Sequence, residues 1–403
     1  MQLPEDFVRS TRETMGEERF QRYLESFGED VPVSIRLNPL KVDSHEWTVA
    51  GGEPVPWCRG GYYLPCRPNF TMDPLLHAGC YYVQEAASMF LDEVLRQHLP
   101  QRQLTALDLC AAPGGKSTLM AAALPDGSML YSNEPVRQRA SILAENVAKW
   151  GYPNHIVTNQ YPESYRKSKL RFDVILCDVP CSGEGMFRKD PATIREWSRQ
   201  NVERCWQLQR DIVSDAWACL NDGGLLIYST CTFNTRENEE NVRWICEEFG
   251  AEVLPVDVSP AWNITGSLLP GFDLPVYRFI PGITRSEGLF MAVLRKKGKT
   301  RNPPPTSPSG EIGGGLLVAS PPRGEVGGGV VPLTYPQAIA YLRGEALVLP
   351  EDTPRGIVTV SFLGYPLGTA KNIGTRANNQ YPKEWRIKTT HINNDYEAIL
   401  RHT

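Results

Sequence analysis

The sequence predicts an α/β protein built around a doubly wound, mostly parallel sheet. From about residue 104 to 297, short apolar runs alternate with segments of helical spacing, which is the pattern of parallel strands covered by helices. The runs contain few polar positions, as strands buried on both faces do. A glycine-containing turn follows the first run, at the place where such sheets bind ligands.

The elements of this region follow from its apolar runs and periodicity. The expected strands are 104–108, 128–133, 172–178 and 224–230, and the expected helices include one that ends at Trp150 and one over 201–220. Each of these strands ends near a polar or glycine-rich segment, so we expect a functional site at their carboxyl ends.

The parts on either side of this region have a different character. Residues 1–70 predict a small α/β lead-in, with helical spacing over 7–27 and a strand over 31–37; residues 73–98 are expected to be rich in helix. Residues 333–403 predict a small β-rich domain with a helix over 333–343 and a strand over 356–363. We therefore expect a lead-in over 1–70, a catalytic domain over 71–297 and a terminal domain over 333–403.

Residues 298–332 interrupt the pattern of strands and helices. They contain nine glycines and seven prolines among 35 residues, far above average usage, which is typical of a linker. A glycine motif at 310–315 recurs at 324–329. Two copies are too few for a solenoid, so we interpret the segment as a duplicated linker.

Composition limits the classes of protein to which the chain can belong. The 403 residues predict two or three domains, and they contain no apolar run long enough to cross a membrane. The amino terminus lacks the pattern of a signal peptide, so we expect a cytoplasmic protein. Ten cysteines occur without any C-x-x-C spacing, so we expect reduced thiols and no metal site.

The terminal domain is the best candidate for contact with RNA. From residue 299 onward the formal charge is +3, against −7 for the rest of the chain. The segment 364–386 combines cations with aromatic side chains, namely Lys371, Arg376, Lys383 and Arg386 with Tyr365, Tyr381 and Trp385. Cations suit phosphates and rings suit bases, but a small domain with these rings in its core would explain the segment equally well.

The turn after the first strand predicts a nucleoside ligand. A phosphate-binding P-loop would need a glycine where Cys110 stands, and the G-x-G-x-x-G fingerprint of dinucleotide sites is absent. Glu134 ends the second strand, about 20 residues on, where a carboxylate accepts hydrogen bonds from ribose hydroxyls. A nucleoside without a pyrophosphate fits this pattern, and S-adenosylmethionine qualifies.

Two thiols follow two further strands at the same edge of the sheet. Asp178 and Cys181 follow one strand, and Cys231 follows another. A thiolate that adds to carbon 6 of cytosine makes carbon 5 electron-rich enough to accept a methyl group. Lys116 is placed to lower the pKa of the thiol and Asp178 to hold the polar edge of the base. The alternative is a structural role, with Asp178 as a cap at the strand end and the cysteines in the core. The spacing leaves both Cys181 and Cys231 as candidates for the nucleophile.

These residues resemble the Nop/Sun family of RNA 5-methylcytosine methyltransferases. The resemblance rests on CAAPGGK over 110–116, DVPCSGEG over 178–185 and STCTFNTRENEEN over 229–241. The strings GMFRKD from Gly185 and GYPLGTAKN from Gly364 resemble the bacterial RsmF-type branch, which acts on small-subunit ribosomal RNA. The match covers nearly the whole chain apart from the linker.

The resemblance implies a fold, a cofactor and roles for individual residues. It implies a Rossmann-like S-adenosylmethionine-dependent methyltransferase with a PUA-like RNA-binding tail, which we expect to act as a monomer. Cys231 is implied as the nucleophile, and Cys181 as the thiol that assists product release. The implied contacts to cofactor and substrate are Cys110, Ala111, Ala112, Pro113, Gly114, Gly115, Lys116, Glu134 and Asp178.

Two departures from the family pattern leave alternatives open. The family usually has an Asp near the adenine amino group, and Tyr161 stands at that position; its ring could stack on adenine, or Asn159 or Gln160 could supply the hydrogen bond. The linker replaces a further small domain of bacterial relatives. Transfer RNA as substrate, a ribosome-assembly factor with weak catalysis, and DNA methylation through Cys181 therefore remain alternative hypotheses.

Overall fold

The computed structural model describes residues 3–298, 316–317, 329–389 and 396–403. Most of the expected linker over 298–332, including its duplicated glycine motif apart from Gly329, lies outside these residues. None of the helices in the described ranges is long and apolar enough to cross a membrane.

The amino-terminal part is a four-stranded antiparallel sheet with four helices. The order of its strands is β3-β4-β1-β5. The helical spacing predicted over 7–27 forms two helices, because Gly16 adopts a φ of +77°, which favours glycine and turns the chain. The elements are α1 (Glu5–Met15), α2 (Glu17–Glu25), β1 (Val33–Leu37), β2 (Trp47–Val49), β3 (Glu53–Pro54), β4 (Gly61–Leu64), α3 (Pro74–His77), β5 (Tyr81–Val83) and α4 (Phe90–His98).

The central part is a nine-stranded mixed sheet covered by helices. Its main path runs β11-β13-β10-β9-β6-β7-β8-β14, and β12 pairs with β13. The strands are β6 (Thr105–Asp108), β7 (Met129–Asn133), β8 (His155–Thr158), β9 (Phe172–Asp178), β10 (Leu220–Thr230), β11 (Glu252–Leu254), β12 (Tyr277–Phe279), β13 (Leu289–Arg295) and β14 (Leu316–Leu317). The helices are α5 (Gly115–Ala123), α6 (Arg137–Trp150), α7 (Pro162–Lys167), α8 (Pro191–Glu196), α9 (Arg199–Cys219) and α10 (Glu239–Phe249).

The prediction of parallel strands is confirmed for β6 to β10, and the outer strands are antiparallel. A parallel return needs a crossover, usually a helix. The described stretch from β11 to β13 contains no α-helix, and its strands therefore run antiparallel. Successive residues of β9 alternate between two buried clusters: Val174 and Leu176 pack on one face, and Ile175 and Cys177 on the other. Burial on both faces explains the continuous apolar runs of the sequence.

The carboxy-terminal part shares a hydrophobic core with the amino-terminal sheet. Its elements are β15 (Val330–Pro332), α11 (Tyr335–Leu342), β16 (Gly356–Phe362), β17 (Tyr365–Asn372), β18 (Ala377–Asn379) and β19 (Leu400–His402). One buried cluster joins apolar residues of 35–81 to those of 331–400. In addition, β19 pairs with β2, and the rings of Trp47 and His402 lie 3.9 Å apart.

The cations and the rings of the segment 364–386 separate in the fold. Lys371, Arg376 and Lys383 are exposed. Tyr381 is only 4% exposed and belongs to the shared core, and Trp385 is half-buried beside it. Tyr381 therefore belongs to the core, whereas Lys371, Arg376 and Lys383 are accessible to a phosphate backbone and Arg386 is half-buried.

The side chain by which β19 enters the shared core should contribute strongly to stability. Leu400 is 1% exposed within the shared core, so we expect Leu400→Ala to lower the free energy of unfolding by about 2–5 kcal/mol. Arg401→Ala, at the exposed next position, should change it by less than about 0.5 kcal/mol. Urea denaturation measures both variants, and equal effects would contradict a role for this core contact.

Candidate active site

The two thiols that follow β9 and β10 lie side by side. The strands are parallel neighbours in which Asp178 pairs with Ser229, so the segments after them leave the sheet at the same edge. The sulfur atoms of Cys181 and Cys231 are 3.1 Å apart, and the Cys231 N–H donates to Cys181 Sγ at 3.3 Å. Both thiols are half-buried, so a ligand at this edge can reach them.

An ion pair lies beside the thiols. Lys116 Nζ is 2.8 Å from Asp178 Oδ2, and Ser229 Oγ donates to Asp178 Oδ1 at 2.9 Å. Burial lowers the pKa of Lys116, but the charges of Asp178 and Cys231 outweigh burial and raise it overall. Lys116 is therefore a fixed ammonium group that favours anions, including a thiolate, at this edge.

The contact between the two sulfur atoms affects the ionisation of Cys181. The hydrogen bond with Cys231 raises the pKa of Cys181 well above its ordinary value, and burial raises it further. Cys181 is therefore a protonated thiol at neutral pH. A thiol 3.1 Å from a second sulfur can donate a hydrogen bond to that sulfur when the latter is ionised.

A buried carboxylate holds the turn that carries Cys181. The Ser182 N–H donates to Glu237 Oε2 at 3.0 Å, and Gln209 Nε2 donates to the same oxygen at 2.7 Å. Gln209 also donates to the Pro180 carbonyl at 2.9 Å. Burial raises the pKa of Glu237 to about 7, so this support titrates near neutral pH.

The turn between β6 and α5 forms one wall of a cavity of about 170 Å³. Gly114 adopts a φ of +115° and α5 begins at Gly115. The lining residues are Tyr82, Val83, Gln84, Glu85, Ser88, Asp108, Cys110, Ala111, Ala112, Pro113, Gly115, Lys116 and Asp178. The cavity therefore brings the predicted turn together with Lys116 and Asp178.

Asp108 is a buried residue in the lining of this cavity. Ser117 Oγ donates to Asp108 Oδ2 at 2.6 Å, whereas Asp108 Oδ1 has no hydrogen-bond partner among the described residues. Burial raises the pKa of Asp108 to about 7. The sequence places Asp108 in the cofactor turn but does not single out its side chain.

Glu134 and Tyr161 lie outside the lining of this cavity, after β7 and β8. Glu134 is 2% exposed, and its carboxylate accepts from the Val136 N–H at 2.9 Å and lies 3.3 Å from Arg139. Asn159 Nδ2 donates to the Glu134 carbonyl at 2.7 Å, which ties the two strand ends together. Tyr161 is 72% exposed, so its ring is accessible to a ligand.

Three models of methyltransferase families match successive parts of the chain that carries this site. The model of 16S rRNA methyltransferase RsmB/F matches residues 96–295. The model of the N-terminal domain of 16S rRNA methyltransferase RsmF matches 3–86, and that of the methyltransferase RsmF PUA domain matches 329–387. The chain belongs to the RsmB/F methyltransferase family.

Two curated relatives of this chain carry the same description. It is 33% identical over 330 residues to ribosomal RNA small subunit methyltransferase F of Pectobacterium atrosepticum, covering 77% of this chain and 66% of the relative. It is 33% identical over 319 residues to the Escherichia coli protein of that description, covering 73% and 63%. The RsmB/F chain thus spans about two-thirds of the length of these relatives.

Solved structures share the fold of this RsmB/F chain. A methyltransferase homologue from Pyrococcus horikoshii is 26% identical with a TM-score of 0.61, covering 73% of this chain and 95% of that one. NSun6 from the same organism, solved with SFG, an S-adenosylmethionine analogue, is 20% identical with a TM-score of 0.61, covering 73% and 99%. The predicted family, Rossmann-like fold and S-adenosylmethionine as cofactor are confirmed.

Sequence reasoning missed several polar residues at the RsmB/F site. Gln84, Glu85 and Ser88 line the cavity from a segment before the central sheet, and nothing in their local pattern signals this position. Ser229 and Glu237 lie inside the string 229–241 that carries the resemblance, which was their only signal. Among the described residues, no cluster of His, Cys, Asp or Glu is arranged to hold a metal ion.

Because the buried carboxylate of Glu237 holds the turn that carries Cys181, the stability of the fold should depend on pH. Its folded-state pKa of about 7 exceeds the usual value of 4.5, so the folded state keeps a proton that the unfolded chain releases between these values. Stability should therefore fall as pH rises through this window. Glu237→Gln should reduce that fall by about 1–3 kcal/mol, as measured by urea denaturation from pH 5 to 8. Parallel curves for wild type and variant would contradict this.

Proposed function

We propose that this protein methylates carbon 5 of a cytosine in small-subunit ribosomal RNA through a covalent bond from Cys231. The observation that carries the proposal is the pair of thiols 3.1 Å apart beside the Lys116–Asp178 ion pair. The names of the curated relatives support ribosomal RNA as the substrate. We infer that the protein acts as a cytoplasmic monomer.

Residues of the cavity and of the neighbouring strand ends would hold S-adenosylmethionine, which supplies the methyl group when bound. The turn over 110–116 presents small residues to the cavity, and the left-handed φ of Gly114 turns the chain into α5. Asp108 Oδ1 is an unpaired acceptor within the described cavity. Glu134 would hold the ribose hydroxyls, and Tyr161 would lie against the adenine.

Four residues of the chain have separate roles in the reaction at the cytosine. The thiolate of Cys231 adds to carbon 6, and Lys116 stabilises that thiolate through its positive charge. Asp178 accepts a hydrogen bond from the amino group of the base and fixes its orientation. After methyl transfer, a water molecule removes the proton from carbon 5, the bond between carbon 6 and sulfur breaks, and the Cys231 thiolate is regenerated. Cys181 keeps its own proton throughout and donates a hydrogen bond to the departing sulfur of Cys231.

The RNA must be held while its target base enters the pocket. We propose that residues 1–70 and 333–403 bind RNA around a catalytic domain over 71–297. The exposed Lys371, Arg376 and Lys383 support this role, because exposed cations attract the phosphate backbone.

Substitution of the two thiols tests the covalent mechanism. We expect Cys231→Ala to reduce methyl transfer roughly a thousandfold or more, since it removes the nucleophile. Cys181→Ala should instead accumulate a protein–RNA adduct, since the Cys231 sulfur loses its hydrogen-bond donor. Transfer of labelled methyl groups to ribosomal RNA and denaturing gels of the adduct measure both effects.

A third cysteine provides the control for these variants. Cys246 is half-buried, as the two thiols are, and lies in α10 outside the cavity lining, so Cys246→Ala should leave transfer and adduct unchanged. Equal behaviour of the Cys181 and Cys231 variants would exclude separate roles, and an adduct on Cys181 formed only with DNA would favour a DNA enzyme. If the protein methylates only transfer RNA, transfer RNA is its substrate instead of ribosomal RNA. If it binds RNA without methylating it, the result favours a ribosome-assembly factor.

Tyr161 tests the adenine side of the site. The Asn159 amide donates to the Glu134 and Pro135 carbonyls, which favours the exposed Tyr161 ring for contact with adenine. Stacking of a base on an aromatic ring contributes about 1–3 kcal/mol, so Tyr161→Ala should weaken binding of S-adenosylhomocysteine by that amount. Tyr161→Phe keeps the ring and should bind as wild type does. Calorimetry measures both, and a loss in the Phe variant would identify the hydroxyl instead.

A further inference from the structure

Two buried residues in the lining of the cavity each have a polar atom without a partner, one a hydrogen-bond donor and the other an acceptor. Gln84 is 6% exposed and Asp108 is 1% exposed, and both line the cavity. Gln84 Nε2 is a donor and Asp108 Oδ1 is an acceptor, and neither has a hydrogen-bond partner among the described residues. Buried polar groups are almost always paired, so a cavity with one free donor and one free acceptor indicates a ligand that carries both an acceptor and a donor.

Arg36 fixes which end of the Gln84 amide faces the cavity. Its Nε donates to Gln84 Oε1 at 2.8 Å, and a guanidinium can only donate. Arg36 is itself held by Thr118 Oγ1 at 2.7 Å and by the ring of Trp150, 4.5 Å from its guanidinium carbon. The amide therefore cannot turn over without losing its partner, and Nε2 remains the free end.

The start of α5 completes the surroundings of Gln84 Nε2. A Cβ atom added at Gly115 would lie 3.7 Å from Gln84 Nε2 and 3.3 Å from Tyr82 Cε1. Glycine therefore leaves open the space between the amide and the helix. The first N–H groups of a helix favour an anion, so this space suits a carboxylate.

We propose that Gln84 and Asp108 bind the amino-acid end of S-adenosylmethionine. Gln84 Nε2 donates to the α-carboxylate, and Asp108 Oδ1 accepts from the α-ammonium. The inference rests on the proposed function and adds a residue from outside the central sheet to the cofactor site. Through Gln84 and Arg36, the amino-terminal sheet takes part in choosing the ligand.

Two variants remove these contacts without removing the partners that hold the side chains. Gln84→Glu keeps an acceptor for Arg36 and replaces the free donor by a carboxylate oxygen. Asp108→Asn keeps an acceptor for Ser117 and places a donor toward the ammonium. Thermal unfolding of both full-length variants checks that they remain folded.

The test compares two ligands that differ only at the amino-acid end. S-Adenosylhomocysteine carries the α-amino and α-carboxylate groups, and 5′-methylthioadenosine keeps the nucleoside and the sulfur without them. By calorimetry, we expect each variant to bind S-adenosylhomocysteine about tenfold more weakly than wild type, since each leaves a charged ligand group unpaired. Binding of 5′-methylthioadenosine should change by less than about twofold.

The outcomes separate this inference from the proposed function. An equal loss for both ligands, or no loss for either, would overturn the role of Gln84 and Asp108 even if the wild type binds both ligands and transfers methyl groups. A wild type that binds neither nucleoside would overturn the proposed function and the inference with it. Weakening confined to S-adenosylhomocysteine supports the assignment.

Discussion

The position of β9 between β6 and β10 is the constraint on which the site depends. Parallel pairing aligns Asp108 with Leu176 and Asp178 with Ser229, so three carboxyl ends meet at one edge. The pairing continues one residue beyond β9, where the Val179 N–H donates to the Ser229 carbonyl at 3.0 Å. Parallel pairing therefore brings three segments together at this edge: the turn after β6, the segment of Asp178 and the segment of Cys231.

Buried polar contacts hold the segments that leave this edge. Glu184 accepts from the Phe233 and Asn234 N–H groups at 2.7 and 2.9 Å, which fixes the chain just after Cys231. Arg278 donates to Glu239 and to the Phe233 carbonyl from a fully buried position. A removed partner would leave an unpaired buried charge, so these pairs specify one conformation of the loop.

The sequence predicts those features that depend on local pattern. The parallel strands and the turn at 110–116 follow from periodicity and glycine spacing, because both are properties of neighbouring residues. The contact of Gln84 with the cofactor cavity depends on Arg36, 48 residues away, and no local pattern encodes it. The choice of Cys231 over Cys181 came from the resemblance, because both thiols follow strands and spacing cannot rank them.

The shared core gives the terminal domain a position that does not depend on the linker. Apolar residues of 331–400 pack with those of 35–81, and Lys149 of α6 lies 5.5 Å from the ring of Trp385. The same amino-terminal sheet carries Arg36 and, through it, Gln84 at the cavity. The exposed cations of the tail therefore belong to the same packed unit as Arg36 and Gln84. The position of the terminal part therefore rests on this packing and not on the length of the segment 298–332.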